Sequence, residues 1–414
     1  MQDLLGARER FRPAIMNTSR RSFIKLAGAL PALTWERSAP EIGSRARSSF
    51  DPWIEIHPGN LRHNVNEINR RVESRPILAV VKNNGYGMGV VNAARLLEPD
   101  TAIAGFAVVK LHEAITLRDA GIRKPILLMG PFDEMNLEEA ARRNIMPMVY
   151  TPLGPAVDRV SRKIQRPVTL HVCVDTGIGR VGVPHTQAAN LIRDLAARKS
   201  VRIQGTMMTF TEDSDFDKEQ LRRFNSLCSS LEKNGVKLGR KHAASSFGLF
   251  QNPDAFLDMV RPGMAIYGIY SENEFRSARV MDLRPALSLK ARVAYVKQLR
   301  KGESAGYNRA YAAKSDVWVA TLPVGHADGW PRVAAKGARV RIGSELYPVI
   351  ASVSASHTIV EIGSQASVKI GDIATMFDWQ PGSRPEDVSS ACGASVYDLT
   401  MHLNPLLPRK VISS

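Results

Sequence analysis

The stretch Pro76–Gly89, PILAVVKNNGYGMG, decides how the rest of the chain is read. Ile77–Val81 is an unbroken apolar run, bounded by Pro76 on one side and by an Asn-Asn-Gly turn on the other. That length and those flanks fit a strand buried on both faces better than a helix. Lys82 follows at once, at the C-terminal end of the strand, where parallel α/β folds gather their functional side chains. Partial burial there would lower the pKa of the ammonium, and the free amine is the form that condenses with a carbonyl. Gly85, Gly87 and Gly89 keep the next turns of backbone thin around Tyr86. On pattern alone, a solvated lysine in a glycine-rich turn stays open as the alternative.

Working outward, Trp53–Ile56 reads as a strand, and Leu61, Val65, Ile68 and Val72 recur at helical spacing. Beyond the lysine, strand candidates are Ile103–Val109, Ile126–Met129, Met148–Tyr150, Val168–Val174, Ile203–Thr209, Gly239–Ala244 and Met259–Val260. Amphipathic segments lie between them, among them Leu111–Ala120, Leu137–Asn144, Thr186–Arg198 and Asp217–Asn234. With the lysine strand this alternation makes a parallel (β/α)8 barrel, although a doubly wound sheet shares the same spacing. After Pro285 the runs become short and β-rich: Leu287–Val296, Val317–Leu322, Ala338–Ile342, Leu346–Ser352, Thr358–Ile362 and Ala374–Met376. One helical pattern, Ser389–Leu399, closes the chain. The expected class is α/β: a leader and linker over residues 1–50, a (β/α)8 TIM-type barrel over 51–285, and a mostly β C-terminal domain over 286–414.

At 414 residues, 44% hydrophobic and 23% charged, the chain has an ordinary globular composition and room for two or three domains. Its net charge of +16 suggests nucleic acid at first sight. Yet residues 1–50 alone hold nine Arg and Lys against four Asp and Glu. The remainder is scattered, with no basic run interleaved with aromatics, so no nucleic-acid partner is expected. Cys173, Cys228 and Cys392 have neither metal-ligand spacing nor a disulfide framework, and one pair could form only if geometry allowed. No apolar run approaches the ~20 residues of a membrane helix. Residues 17–35, NTSRRSFIKLAGALPALTW, resemble a twin-arginine export signal built on Arg20 and Arg21. That implies a periplasmic or secreted protein that folds before crossing; a disordered basic leader is the alternative. The pattern begins at Met16, so residues 1–15 read as an over-called start.

The lysine segment also resembles the A-V-V-K-x-N-x-Y-G-x-G motif of alanine racemases, through Ala79, Val80, Val81, Lys82, Asn84, Tyr86, Gly87 and Gly89. The resemblance implies that pyridoxal 5'-phosphate is held by Lys82, with Tyr86 beside it. Other family segments recur in order. Asp175-Thr-Gly-Ile-Gly-Arg180 resembles V-D-T-G-x-G-R, which puts Arg180 near the cofactor ring and the substrate carboxylate. His242-Ala-Ala-Ser-Ser246 resembles H-A-A-N-S, with Ser246 donating to the phosphate and His242 packed beneath. Arg261-Pro-Gly-Met-Ala-Ile-Tyr-Gly268 resembles R-P-G-x-x-x-Y-G. There the backbone of Gly263 and Met264 would cradle the phosphate. Arg261 would face the pyridine nitrogen. A guanidinium keeps its proton at neutral pH, so the ring is a weaker electron sink and transamination is disfavoured. Tyr307, in Ala305-Gly-Tyr-Asn-Arg-Ala-Tyr311, falls where the family carries its second base, a tyrosine donated across a head-to-tail homodimer.

Racemisation needs a proton removed from one face and returned to the other, and Lys82 and Tyr307 would be that pair. Departures from the family pattern cluster around the substrate. Cys173 stands where a carbamylated lysine is common, Thr209 replaces a histidine, and His326 replaces a tyrosine. Ala355 and Ser356 replace Met and Asp in a site-closing loop, where the backbone at Ala355 would meet the substrate carboxylate. Pro405 replaces a tyrosine that narrows the way in. The expected activity is therefore interconversion of L- and D-amino acids, alanine or broader. The alternatives are a decarboxylase of the same fold-type, which Arg261 opposes, and a catalytically degenerate cofactor-binding homologue.

Overall fold

The computed structural model of the protein describes residues 50–412. The Arg20–Arg21 leader lies outside the described residues. Seven strands follow one another as parallel neighbours: Ile77–Val80, Ile103–Val108, Ile126–Leu128, Ile145–Val149, Val168–Asp175, Val201–Met207 and Arg240–His242. The eighth position is filled by extended chain around Val260. On one side Leu78 N donates to Val260 O and Val80 N to Pro262 O, both at 2.9 Å; on the other, Arg261 N donates to Ala244 O at 2.8 Å. The first strand is thereby joined to the last. A doubly wound sheet would leave those two edges apart, so the fold is the barrel.

The first four strands are continuous non-polar runs because both of their faces are covered. All four residues of Ile77–Val80 are buried. The helices outside show one-sided patterns. Ser214–Lys233 buries Leu221, Phe224, Cys228 and Leu231, a stripe at helical spacing, and Asp213 caps it by accepting from the N–H groups of Asp215 and Phe216. A cap of this kind stabilises a helix by about 1 kcal/mol. All three cysteines are buried and free. Among the described residues no helix is long and apolar enough to cross a membrane.

The C-terminal part is built on a nine-stranded sheet. Its order is Tyr295–Leu299, Val317–Leu322, Thr358–Gly363, Glu345–Ile350, Arg339–Ile342, Ile373–Phe377, Leu287–Arg292, Trp53–Ile56 and Arg409–Val411. Three details differ from the expectation. Trp53–Ile56 belongs to this sheet and not to the barrel: it pairs antiparallel with Leu287–Arg292 and parallel with Arg409–Val411. The run Leu287–Val296 is two strands, because Val293 N turns to Asp372 O and Ala294 N to Thr321 O. The late helical pattern is likewise two helices, Pro385–Cys392 and Val396–Met401. Gly393 ends the first in the left-handed region (φ 75°), and the Ser395 side chain caps the second.

Candidate active site

Among the described residues, the lysine turn is an unusual piece of backbone. Asn83, Asn84, Gly85, Tyr86 and Gly87 all have positive φ, between 51° and 91°. Left-handed backbone costs roughly 1–2 kcal/mol for an ordinary residue, and Asn and Gly are the types that tolerate it best. The N-N-G-Y-G composition is therefore a requirement of this turn. Asn84 Oδ1 accepts from Val90 N (3.3 Å), and Asn84 N donates to Glu113 Oε1 at 2.8 Å. Glu113 is almost wholly buried, and its Oε2 has no partner among the described residues. From outside, Arg409 Nε donates to Gly87 O (2.9 Å), and a Cβ on Gly87 would strike Thr400 O at 2.3 Å. The barrel and the C-terminal segment thus clamp the turn from opposite sides.

Lys82, half-buried at the head of this turn, points into a cavity of about 500 Å³ at the C-terminal end of the strands. Burial lowers its pKa; the Arg180 and Arg261 guanidiniums add to this, and Glu113 opposes it. Tyr86, Arg180, Ser246, Arg261, Gly263 and Met264 line the same cavity. The two motifs that carry Tyr86 and Gly263 interlock. Tyr86 stacks on Tyr267 at 4.8 Å between ring centres, and a Cβ at residue 263 would lie 2.3 Å from the Tyr86 hydroxyl. Only glycine permits that approach.

Arg261 sits at the floor with a fully specified partner set. Its Nη1 meets His242 Nδ1 at 2.8 Å, and its Nη2 donates to Met208 O at 2.9 Å and to Thr209 Oγ1 at 3.3 Å. Because a guanidinium only donates, His242 Nδ1 must be an acceptor, so its proton is on Nε2. That atom lies 2.9 Å from His171 Nδ1, which must accept in turn. Burial pushes His242 well below the usual imidazole range and His171 down to about 3. Both rings are therefore neutral at physiological pH, and the chain Arg261–His242–His171 has one direction only. Burial also brings Arg261 down to about 10, which still leaves it charged at neutral pH. His242 is not in the cavity wall; it lies beneath and orients Arg261.

Ser246 Oγ accepts from Gly263 N (3.0 Å) and Ala265 N (3.2 Å), which leaves its own proton free to donate into the cavity. This corrects one expectation: the Gly263 N–H is turned onto Ser246 and not into the cavity. The loop that ends in Arg180 is folded by Asp175, whose carboxylate accepts from Gly177 N at 2.8 Å and from Gly179 N at about 3.1 Å. Arg180 itself is exposed at the mouth, with no hydrogen bond or ion pair among the described residues. Burial pushes Cys173 up to about 11. It is a neutral thiol and supplies no anion to Arg180.

Besides His242, two expected site residues do not line this cavity in the single chain. Tyr307 is 76% exposed, and Ala355 is also on the surface. They lie on neighbouring segments. The turn that carries Tyr307 packs at Gly306 against Ala351 and Ser352, in the loop that leads to Ala355. Three residues that now matter were missed, and a fourth, Tyr397, was read only as part of a segment resembling the family's closing one. Glu212 and Tyr397 line the cavity; Glu113 and His171 are buried supports. His171 is the one polar side chain in the buried core of Leu170–Val174, which is a visible signal. Glu113 shows only as an acid on the apolar face of the helix Leu111–Asp119.

The donor set suits a phosphorylated aldehyde: a low-pKa amine, a free hydroxyl donor, and two guanidiniums at one cavity. What fold and site define is a barrel with a half-buried lysine at a strand end, facing a cavity that guanidinium and hydroxyl donors share. The sequence profile of the alanine racemase N-terminal domain matches residues 56–271, and that of the alanine racemase C-terminal domain matches 286–411. The alanine racemase of Clostridium tetani is 30% identical over 369 residues, 87% of this chain and 95% of its own. That of Desulforamulus reducens is 31% identical over 368 residues, 87% of this chain and 98% of its own. The solved alanine racemase from D-cycloserine-producing Streptomyces lavendulae superposes with a TM-score of 0.82 at 27% identity, covering 89% of this chain and 98% of that one. The chain belongs to the alanine racemase family of enzymes.

Proposed function

We propose that this protein is a pyridoxal 5'-phosphate-dependent racemase that interconverts L- and D-amino acids, alanine and larger ones, with Lys82 and Tyr307 as the two proton-transfer groups. The carrying observation is a half-buried lysine of lowered pKa in the same cavity as an obligate donor, Arg261, whose partners are fully fixed. Lys82 would hold the cofactor, Ser246 would donate its free proton to the phosphate, and Arg261 would face the ring nitrogen. When bound, the cofactor supplies an electron-withdrawing ring that acidifies the substrate's α-hydrogen. Arg180 is a free cation for the substrate carboxylate.

Tyr307 is exposed and does not line its own cavity, so a second copy would donate it, together with the loop around Ala355, in a head-to-tail homodimer. A phenol at its ordinary pKa of about 10 is a poor base, and the donated tyrosine must gain its basicity in that interface. The small residues at 355, 356 and 405, where the family carries larger ones, support a range beyond alanine. Export through the twin-arginine leader completes the reading; fractionation should find the protein outside the cytoplasm. The direct test is incubation of purified, cofactor-loaded protein with L-alanine and a panel of larger L-amino acids, followed by chiral chromatography. D-enantiomers should form, and no turnover on any of them would defeat the proposal.

A further inference from the structure

The loop after the strand Val201–Met207 is unusually well tied down for a cavity rim. Thr211 N and Oγ1 both reach Asp217 Oδ1 and Gln220 Oε1 at 2.9 to 3.2 Å, and Glu212 N donates to the same Asp217 oxygen at 3.2 Å. Asp217 and Gln220 are buried on the helix Ser214–Lys233. These bonds hold Glu212 in left-handed backbone, φ 69°, which a non-glycine residue rarely adopts without support. The result is a rigidly presented acid, and Glu212 is the one acidic residue lining the site cavity. Among the described residues its carboxylate has no hydrogen bond or ion pair. Tyr397 lines the same cavity, and an aromatic face beside a carboxylate is a common receptor for an organic cation. The carboxyl is open to solvent at the rim. Even so, the surrounding walls, Asp217 and Glu272 push its pKa up against the pull of Arg180, so an added positive charge would be welcome there.

We infer that Glu212, with Tyr397, is a specificity-determining residue that favours amino acids whose side chain ends in a cation: lysine, ornithine or arginine. This rests on the racemase reading, in which Arg180 takes the α-carboxylate and leaves Glu212 to the far end of the substrate. The neutral comparison is norleucine, which matches lysine's chain but lacks its charge. A charge-assisted contact is worth about tenfold.

The test uses the cofactor-loaded enzyme and two readouts. In the first, kcat/KM for L-lysine should exceed that for L-norleucine by about tenfold or more. In Glu212→Gln the lysine-to-alanine ratio of kcat/KM should fall by a similar factor. In the second, calorimetric Kd values are compared for α-methyl-lysine and α-methyl-norleucine, which have no α-hydrogen to lose. The lysine analogue should bind more tightly to the natural enzyme, and the gap should close in the variant. The inference is overturned if lysine has no advantage over norleucine in the natural protein, a comparison that needs no variant to fold. It is overturned equally if Glu212→Gln lowers lysine and alanine by the same factor, which would make Glu212 a support for Arg180. Absence of turnover on every amino acid, alanine included, would instead sink the racemase reading itself.

Discussion

Lys82 is the residue on which the proposed chemistry rests, and its protonation has a thermodynamic consequence that can be measured without substrate. Its folded pKa lies below the usual lysine value of 10.5 because burial and two guanidiniums disfavour the ammonium. Between the lowered value and 10.5 the unfolded chain binds a proton that the folded chain has released. Stability must therefore rise with pH across that window. Below the window both states are protonated and the folded one bears the cost; above it both are neutral and the cost is gone. In cofactor-free protein, urea denaturation at several pH values should show this rise, and Lys82→Met should flatten it. Identical slopes for the two proteins would show that Lys82 is not destabilised as a cation. At this scale much was legible in advance: the lysine, both arginines, Tyr86, Ser246 and Gly263 stand together in one cavity. Glu113 and Glu212 did not stand out, because their importance comes from what they face across the barrel and not from local pattern.

The element that matters most is the left-handed turn Asn83–Gly87. Its backbone is strained and is held by Glu113, Val90 and Arg409. Asn84→Ala forces an alanine into that backbone and removes the acceptor for Val90 N, so it should destabilise the protein by about 1–2 kcal/mol. Asn84→Gly should be milder because glycine accepts the conformation. Equal losses in denaturant midpoint for the two variants would mean that backbone conformation is not the cause. The turn's Gly and Asn content was visible in the sequence; its handedness was not, since Gly-Asn runs suit many turns. The first four barrel strands were legible for a simpler reason, as doubly covered strands are uninterrupted apolar runs. Trp53–Ile56 reads as a strand equally well, but pattern says nothing about which sheet a strand joins. Its partners lie more than 200 residues away. Gly393 and Ser395, the punctuation that splits the last helical pattern, were present but outweighed by periodicity.

The whole molecule presents a division of labour. The barrel and the C-terminal segment supply Lys82, Arg180, Arg261 and Tyr397 to one cavity, while Tyr307 and the loop around Ala355 sit elsewhere on the surface. In the proposed reading a second copy completes the site. Sequence resemblance implied that arrangement, and the exposure of Tyr307 fits it, but only an assembly can close the site. The most direct measurement is a hybrid one. Lys82→Ala and Tyr307→Ala homodimers should each be unable to racemise alanine, since each lacks one proton-transfer group in both sites. When the two are unfolded together and refolded as a mixture, hybrids acquire one site with Lys82 from one chain and Tyr307 from the other. The account predicts that D-alanine formation reappears in the mixture. If hybrids form and no activity returns, or if Tyr307→Ala alone keeps full activity, the claim that these two residues meet across two chains is contradicted.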